Sequence, residues 1–490
     1  MRQRRTIYFN DARHYYLFVF EPPMRLEDAW VPVDEVADTG VDTFIYGVSR
    51  DDGWFYPSRV GTRFGQDMVG NFEQAAYWRV WQNMQSLVDR DLDPLQVLID
   101  RAHDRGMDFL SSLRMGAYAG LDQNLSTREG GPGMADPSVR DFMQRAVVEL
   151  AGYDAEGVEL DFAGAPGGTA YWFPQDRAAA LGSEMTEWLR RTRDAVNHVG
   201  DRVVGARVYP TREANEKTGL QVERWLEEGL VDYVVPLVYG FMILDGAMPI
   251  DWIVRAAHAR DVSVYAMLQP YYADESRALI ARQYPTPEMY RGAAANAWQA
   301  GVDGMYSWFM RWPLGDRERA VLSELSSPDQ IVDKDKHYFL RRSTDVPYVV
   351  DVDYPAHLPI SMDPASDLGR TFAIPVRIGD DVEATGKRIG RMSLRLALTD
   401  LVSDDRLEIR VNGERLPLMQ GVRRFPIMPV SPYQGQWLEI ELSGTQRLRR
   451  GENRLEIALL ERPEGLRSKV VVEDVEVTVA YDLWPSRLLE

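Results

Sequence analysis

The chain contains no cysteine. Disulfides, thiol nucleophiles and thiolate metal sites are therefore excluded, although this does not name a compartment. Only six histidines occur among 490 residues. None forms a His-x-His or His-Glu-x-x-His pattern, and His103, His198 and His258 fall in helical stretches, so no metal site is expected. No window offers the roughly 18 uncharged apolar residues that a membrane-crossing helix needs. The opening residues Met1 to Asn10 carry the basic cluster of a signal n-region, but no apolar stretch of the required length follows. The chain as given thus reads as a soluble protein of cytoplasm or periplasm. Positive charge is also scarce: 56 Lys and Arg stand against 75 Asp and Glu, a net charge of −19. That balance repels nucleic-acid phosphates and anionic lipid, so neither a nucleic-acid nor a membrane partner is expected, while self-association into a homo-oligomer stays open. Internal repeats, low-complexity tracts and glycine-rich phosphate loops are missing as well, and no cofactor is implied.

What is present is apolar content of 45%, enough to bury two cores in a chain too long for one ordinary domain. Strand-like runs occur at 14–21, 43–50, 108–115, 157–164, 203–210, 231–240, 263–270 and 302–309. Helical patterns separate them. In residues 137–151, for example, Asp136 stands at the N-cap, Pro137 at the first helical position, and Phe142, Ala146 and Leu150 at helical spacing. Eight strand–helix units predict a parallel (β/α)8 TIM barrel over residues 1–330. Beyond a charged linker at 331–336, containing Asp333-Lys-Asp-Lys336, residues 337–490 alternate with period two and carry the Asn412-Gly413 hairpin signal. That texture predicts an antiparallel β-sandwich accessory domain.

The chemistry concentrates in Gly157-Val-Glu-Leu-Asp-Phe-Ala-Gly164. Successive strand side chains alternate faces, so Val158, Leu160 and Phe162 point to one side and Glu159 and Asp161 to the other. Ionised groups on the inner face of a buried strand need partners or a polar site at the strand's end. The same alternation turns Ser112 and Arg114 of the third strand, and Gly205, Arg207 and Tyr209 of the fifth, toward these acids. Glu21, Tyr239, Gln269 and Trp308 are expected at other strand ends, and the long loop after the second strand supplies Trp54. Carboxylates ringed by aromatic residues describe a sugar site, because sugars offer apolar C–H faces for stacking and hydroxyls for acids and arginines. Cleavage of a glycosidic bond needs two carboxyl groups, one to protonate the leaving oxygen and one to attack or to activate water.

These residues also carry a resemblance. Gly157-Val-Glu-Leu-Asp-Phe162 after Tyr153-Asp154, together with Ser111-Ser-Leu-Arg-Met115 and Gly40-Val-Asp-Thr-Phe-Ile-Tyr46, resembles the glycoside-hydrolase-like (β/α)8 barrel proteins of carbohydrate-degrading bacteria. The likeness covers most of the barrel and implies a carbohydrate hydrolase. This chain has Arg114-Met-Gly-Ala117 and Asp161-Phe-Ala-Gly164 where that group often reads Arg-Met-Asn-Asp and Asp-Phe-Met-Arg. The C-terminal sandwich is similar to domains that accompany glycoside hydrolases, either binding glycan or buttressing the barrel.

Roles follow from environment. A guanidinium close to a carboxylate favours its charged form, which suits a nucleophile or base. Asp161, nearer the strand's end, takes that role, and Glu159 assists it or acts as the acid. Two acids on one strand leave a substrate little room between them, so a partner from another strand is preferred: Asp245 after the sixth strand, or Glu21. The separation decides between retention, at about 5 to 5.5 Å, and inversion, at about 6.5 to 9.5 Å. Two other readings stand beside this one: a non-catalytic carbohydrate-binding protein on a degenerate barrel, and a structural role in which Glu159 and Asp161 are locked in ion pairs with Arg114 and Arg207.

Overall fold

A computed structural model describes residues 2–11, 16–163, 170–238, 242–272, 284–308, 310–343, 351–385, 388–424 and 435–482. Eight parallel strands close into a barrel in chain order: β1 Arg5–Asp11, β2 Thr43–Gly47, β3 Asp108–Arg114, β4 Gly157–Asp161, β5 Val203–Val208, β6 Tyr233–Pro236, β7 Ser263–Leu268 and β8 Gly304–Ser307. Pairing of Arg5 with Gly304 and of Ile7 with Thr43 seals the ring between β8, β1 and β2. Helices lie between the strands and take the outward-facing side chains. Phe162, just past β4, meets Trp188 of helix Gly182–Val199 and Trp225 of helix Val222–Glu227, as the alternation predicts.

The first strand is not where the sequence pattern places it. Within 14–21, the described part opens with a short helix, Tyr16–Val19; the true β1 begins in the basic cluster near the N-terminus. Arg5 is 4% exposed there because its guanidinium donates to Thr43 Oγ1 and to Asp108 Oδ2, both at 2.6 Å. A charge paired in this way is compatible with burial, and it masks the apolar run that follows it.

After the barrel the chain builds two antiparallel sheets. One contains β9 Lys336–Phe339, β10 Ile360–Met362, β12 Ile389–Thr399, β15 Val422–Arg424, β16 Gly435–Glu441 and β18 Val470–Tyr481; the other contains β11 Thr371–Ile378, β13 Arg406–Val411, β14 Glu414–Arg415 and β17 Gly451–Glu461. Period-two burial in β11 and β13, with Ile374, Val376, Ile378, Ile409 and Val411 inside, is the mark of sheets packed on one face. Asn412 and Gly413 both take positive φ, 52° and 88°, as a two-residue turn between β13 and β14 requires.

The two domains meet along helix Pro287–Ala300. A Cβ on Gly379 would lie 2.2 Å from the Ala295 carbonyl oxygen, so only glycine permits this approach. Arg377 grips Asp251 with two hydrogen bonds of 2.9 and 2.7 Å. Deeper in the sandwich edge, Asp380 accepts from Tyr338 and Tyr481, each at 2.7 Å, and pairs with the Lys336 ammonium at 2.8 Å. Lys336 and Asp380 are 2% and 4% exposed. Asp380→Ala leaves a buried ammonium and two phenols without their acceptor, and should lower unfolding free energy by about 3–5 kcal/mol, measured by urea denaturation of the full chain.

Candidate functional site

Inside the barrel inward residues of β1, β3, β4 and β8 converge on one guanidinium, that of Arg207 on β5. Arg207 is fully buried. Its Nε donates to Glu159 Oε1 at 2.8 Å, Nη1 to Asp161 Oδ2 at 3.2 Å, and Nη2 to the Tyr306 hydroxyl at 2.9 Å. Phe9 lies 4.0 Å below the guanidinium carbon and Trp308 5.2 Å from it. Burial opposes the positive charge, but the carboxylates of Asp161 and Glu159 more than offset it and hold Arg207 well above the ordinary arginine value.

Glu159 is saturated. Besides Arg207 it accepts from Ser112 Oγ at 2.7 Å and from the hydroxyls of Tyr233 and Tyr306 at 3.0 Å each. Burial first, and the Glu159 charge second, push the Tyr233 phenol well above its usual range; burial, with Glu159 among its neighbours, does the same to Tyr306. Both remain donors. Tyr233 reaches Glu159 only because its β5 neighbour is Gly205: a Cβ there would stand 1.9 Å from the Tyr233 ring. Glu159 thus forms the floor of the site.

One layer up, toward the C-terminal ends of the strands, Asp161 and Arg114 pair across the β3–β4 ladder. Arg114 also reaches a residue to which alternation does not point. Its Nη2 donates to Asp11 Oδ2 at 2.5 Å, and the side chains of Arg114 and Asp11 are 10% and 3% exposed. Asp11 ends β1, ahead of the run at 14–21 in which the sequence pattern places the first strand. The signal was available, since Ile7, Phe9 and Asp11 share one strand face, and Tyr306 precedes Trp308 by the same two-residue step. Among the described residues, the carboxylates of Asp11, Glu159 and Asp161 and the guanidiniums of Arg114 and Arg207 gather at this end of the barrel.

Other expected site residues are dispersed. Tyr209 is buried, its hydroxyl donating to the Ala170 carbonyl at 2.9 Å and pushed up first by burial and then by the Asp161 charge. Gln269, 1% exposed, donates weakly to the Val238 carbonyl at 3.4 Å, and its Oε1 has no partner among the described residues. Trp308 joins Phe9 edge to face at 5.2 Å. Tyr239 lies outside the described residues.

Three placements are corrected. Glu21 follows the short helix Tyr16–Val19 rather than ending a strand, and pairs with Arg79 at 2.7 Å with its side chain 71% exposed. Trp54 is fully buried, donating to the Ala119 carbonyl at 3.1 Å and packing edge-on against Tyr56 and Phe142. It fills the layer between loop and helix and offers no open face for stacking. Asp245 is turned to the sandwich: it accepts from the Tyr354 hydroxyl at 2.5 Å, lies 3.5 Å from Arg341 Nε, and borders a cleft of about 280 Å³ between the domains.

No protein-family profile matches the chain, and no curated protein matches its sequence. Among solved structures it is similar to alpha-L-fucosidase isoenzyme 2 from Paenibacillus thiaminolyticus, at 13% identity and TM-score 0.42, over 66% of this chain and 49% of that one. It is also similar to the PgaB (BpsB) glycoside hydrolase domain from Bordetella bronchiseptica, at 13% identity and TM-score 0.39, over 66% and 99% of the two chains. A cycloisomaltooligosaccharide glucanotransferase from Paenibacillus sp. aligns over 96% of this chain and 57% of its own, at 12% identity and TM-score 0.34. The chain spans about half the length of the fucosidase. No functional argument rests on likenesses this distant; the closed eight-stranded barrel rests on its own strand pairing.

The interior network yields a prediction about stability. Glu159→Ala removes the acceptor of four buried donors and should cost about 3–5 kcal/mol. Gly205→Ala, which forces Tyr233 off Glu159, should cost about 1–3 kcal/mol. Denaturant unfolding of each variant gives the comparison, and equal stability to the parent chain would remove the floor assignment.

Proposed function

We propose that the protein is a glycoside hydrolase acting on an oligosaccharide or polysaccharide at the C-terminal end of the barrel. The observation that carries this reading is the gathering of carboxylates: Asp11, Glu159 and Asp161 meet Arg114 and Arg207, with the rings of Phe9, Tyr306 and Trp308 packed against the Arg207 guanidinium. Glycosidic cleavage passes through a cationic, oxocarbenium-like transition state, which carboxylates held close to it stabilise. Asp161, at the end of β4, is assigned as nucleophile or base. Asp11, on a different strand and outside the Glu159 network, is assigned as the second carboxyl group in place of Asp245. Arg114 and Gln269 are assigned to the sugar hydroxyls, the latter because its amide oxygen lacks a partner among the described residues.

One observation favours a second reading. Glu159 and Asp161 are both 0% exposed, and the positions after Arg114 and Asp161 are small or apolar, as in a barrel that binds carbohydrate without turning it over. A panel of oligosaccharides and 4-nitrophenyl glycosides with product detection separates the two. Turnover by the parent chain that falls about 10³-fold or more in Asp161→Asn, with saccharide binding kept, supports the hydrolase. Undiminished hydrolysis by Asp161→Asn removes the assignment, and binding without turnover by the parent chain selects the second reading.

A further inference from the structure

The segment 351–358, leading into β10 of the sandwich, lies on the C-terminal rim of the barrel. Asp351 accepts from Gln175 Nε2 at 2.7 Å and pairs with Lys217 Nζ at 2.8 Å. Gln175 belongs to the loop after β4, and Lys217 to helix Arg212–Thr218 after β5. Three residues further on, the buried Tyr354 hydroxyl donates to Asp245 Oδ2 in the loop after β6. Arg341 stacks 4.5 Å over the Tyr354 ring and pairs with Asp353 at 2.9 Å, which locks the tyrosine in place. The loop after β6 is in turn joined to the loop after β7: Leu244 N donates to the Tyr271 carbonyl at 2.5 Å, and Tyr271 N to the Met242 carbonyl at 3.2 Å. Phe339, at the end of β9, meets the ring of Tyr272 edge-on at 5.9 Å. One strap from the second domain thereby touches the loops after β4 and β6 and the helix after β5, and through the β6 loop it is linked to the segment after β7.

Loops at this face of a barrel carry its binding residues, and their stability follows from what ties them down. We propose that the strap at 351–358 is a working part of the barrel's site, with Tyr354 as a positioning residue: by holding Gln175, Lys217 and Asp245, and through the Asp245 loop the segment that follows β7, it sets the place of Gln269 and of the wall behind Tyr209. The sandwich then supplies substrate affinity by ordering the mouth, and is not a tethered module. This rests on the carbohydrate reading of that mouth.

The test uses the full chain. Tyr354→Phe deletes one hydrogen bond to a buried carboxylate and keeps the ring under Arg341. Hydrogen exchange in peptides covering 242–250 should accelerate about ten-fold, with β4 and β5 unchanged. On any saccharide that the parent chain turns over, KM should rise about ten-fold while kcat stays within about two-fold. Unchanged exchange at the rim, or a lower melting temperature with unchanged KM, overturns the proposal. If Tyr354→Phe does not fold, Asp351→Asn at the half-exposed pair with Lys217 serves instead. It should raise exchange across 170–181 about two-fold, and no change there overturns the strap's role. A parent chain that neither binds nor hydrolyses any saccharide removes the carbohydrate reading, and the exchange result then decides the strap on its own.

Discussion

A guanidinium shut away from water sets the terms for the interior of this barrel. Transferring Arg207 out of solvent costs several kcal/mol unless its donors are met and its charge is matched, and the neighbouring residues fit that demand. Glu159 and Asp161 supply charge from one adjacent strand, Ser112 and Tyr306 supply oxygen atoms from two others, and Phe9 offers a ring face at 4.0 Å. Gly205 follows from the same constraint, because the Tyr233 hydroxyl that completes Glu159 must pass over it. The two acids of the fourth strand consequently do different work. Glu159 is consumed in holding the charge, while Asp161 stands one step nearer the open end of the barrel.

Much of this was legible in the chain, and the parts that were not share a physical cause. Seven of the barrel strands fall where apolar runs mark them, because buried parallel strands are continuous in hydrophobicity. The first did not, since its leading Arg5 looks like a surface charge until Asp108 and Thr43 are brought beside it by folding. With the first strand read at 14–21, Glu21 stands at its end in the place that Asp11 holds in the structure. Alternation put Glu159, Asp161 and Arg207 on one face correctly. It could not say that Arg114 would reach across to Asp11, since that choice is made by a residue 103 positions away. Trp54 shows the limit of composition: an aromatic in a long rim loop served as packing, with its N–H satisfied by a backbone carbonyl.

The sandwich carries a second lesson about where information sits. Its strands announce themselves by period two, yet nothing local in 351–358 marks those residues as belonging to the barrel's rim. Asp351 and Tyr354 acquire that meaning through Lys217, Gln175 and Asp245, each more than 100 residues away in sequence. The seam beneath them is close: Gly379 lies against a helix carbonyl and Arg377 holds Asp251 with both nitrogens. An interface of that kind transmits position, so the loops it holds inherit the rigidity of two cores instead of one.

The division of labour between the two arginines also bears on where a substrate enters. Arg207 is inaccessible and its four donor contacts to Glu159, Asp161, Ser112 and Tyr306 are internal, so a sugar cannot reach it without breaking the floor. Arg114 retains some exposure, and its partner Asp11 ends its own strand. Arg114 is thus the more accessible of the two guanidiniums. On the proposed reading the chemistry falls in the upper layer, between Asp11, Arg114 and Asp161, above the Glu159–Arg207 layer.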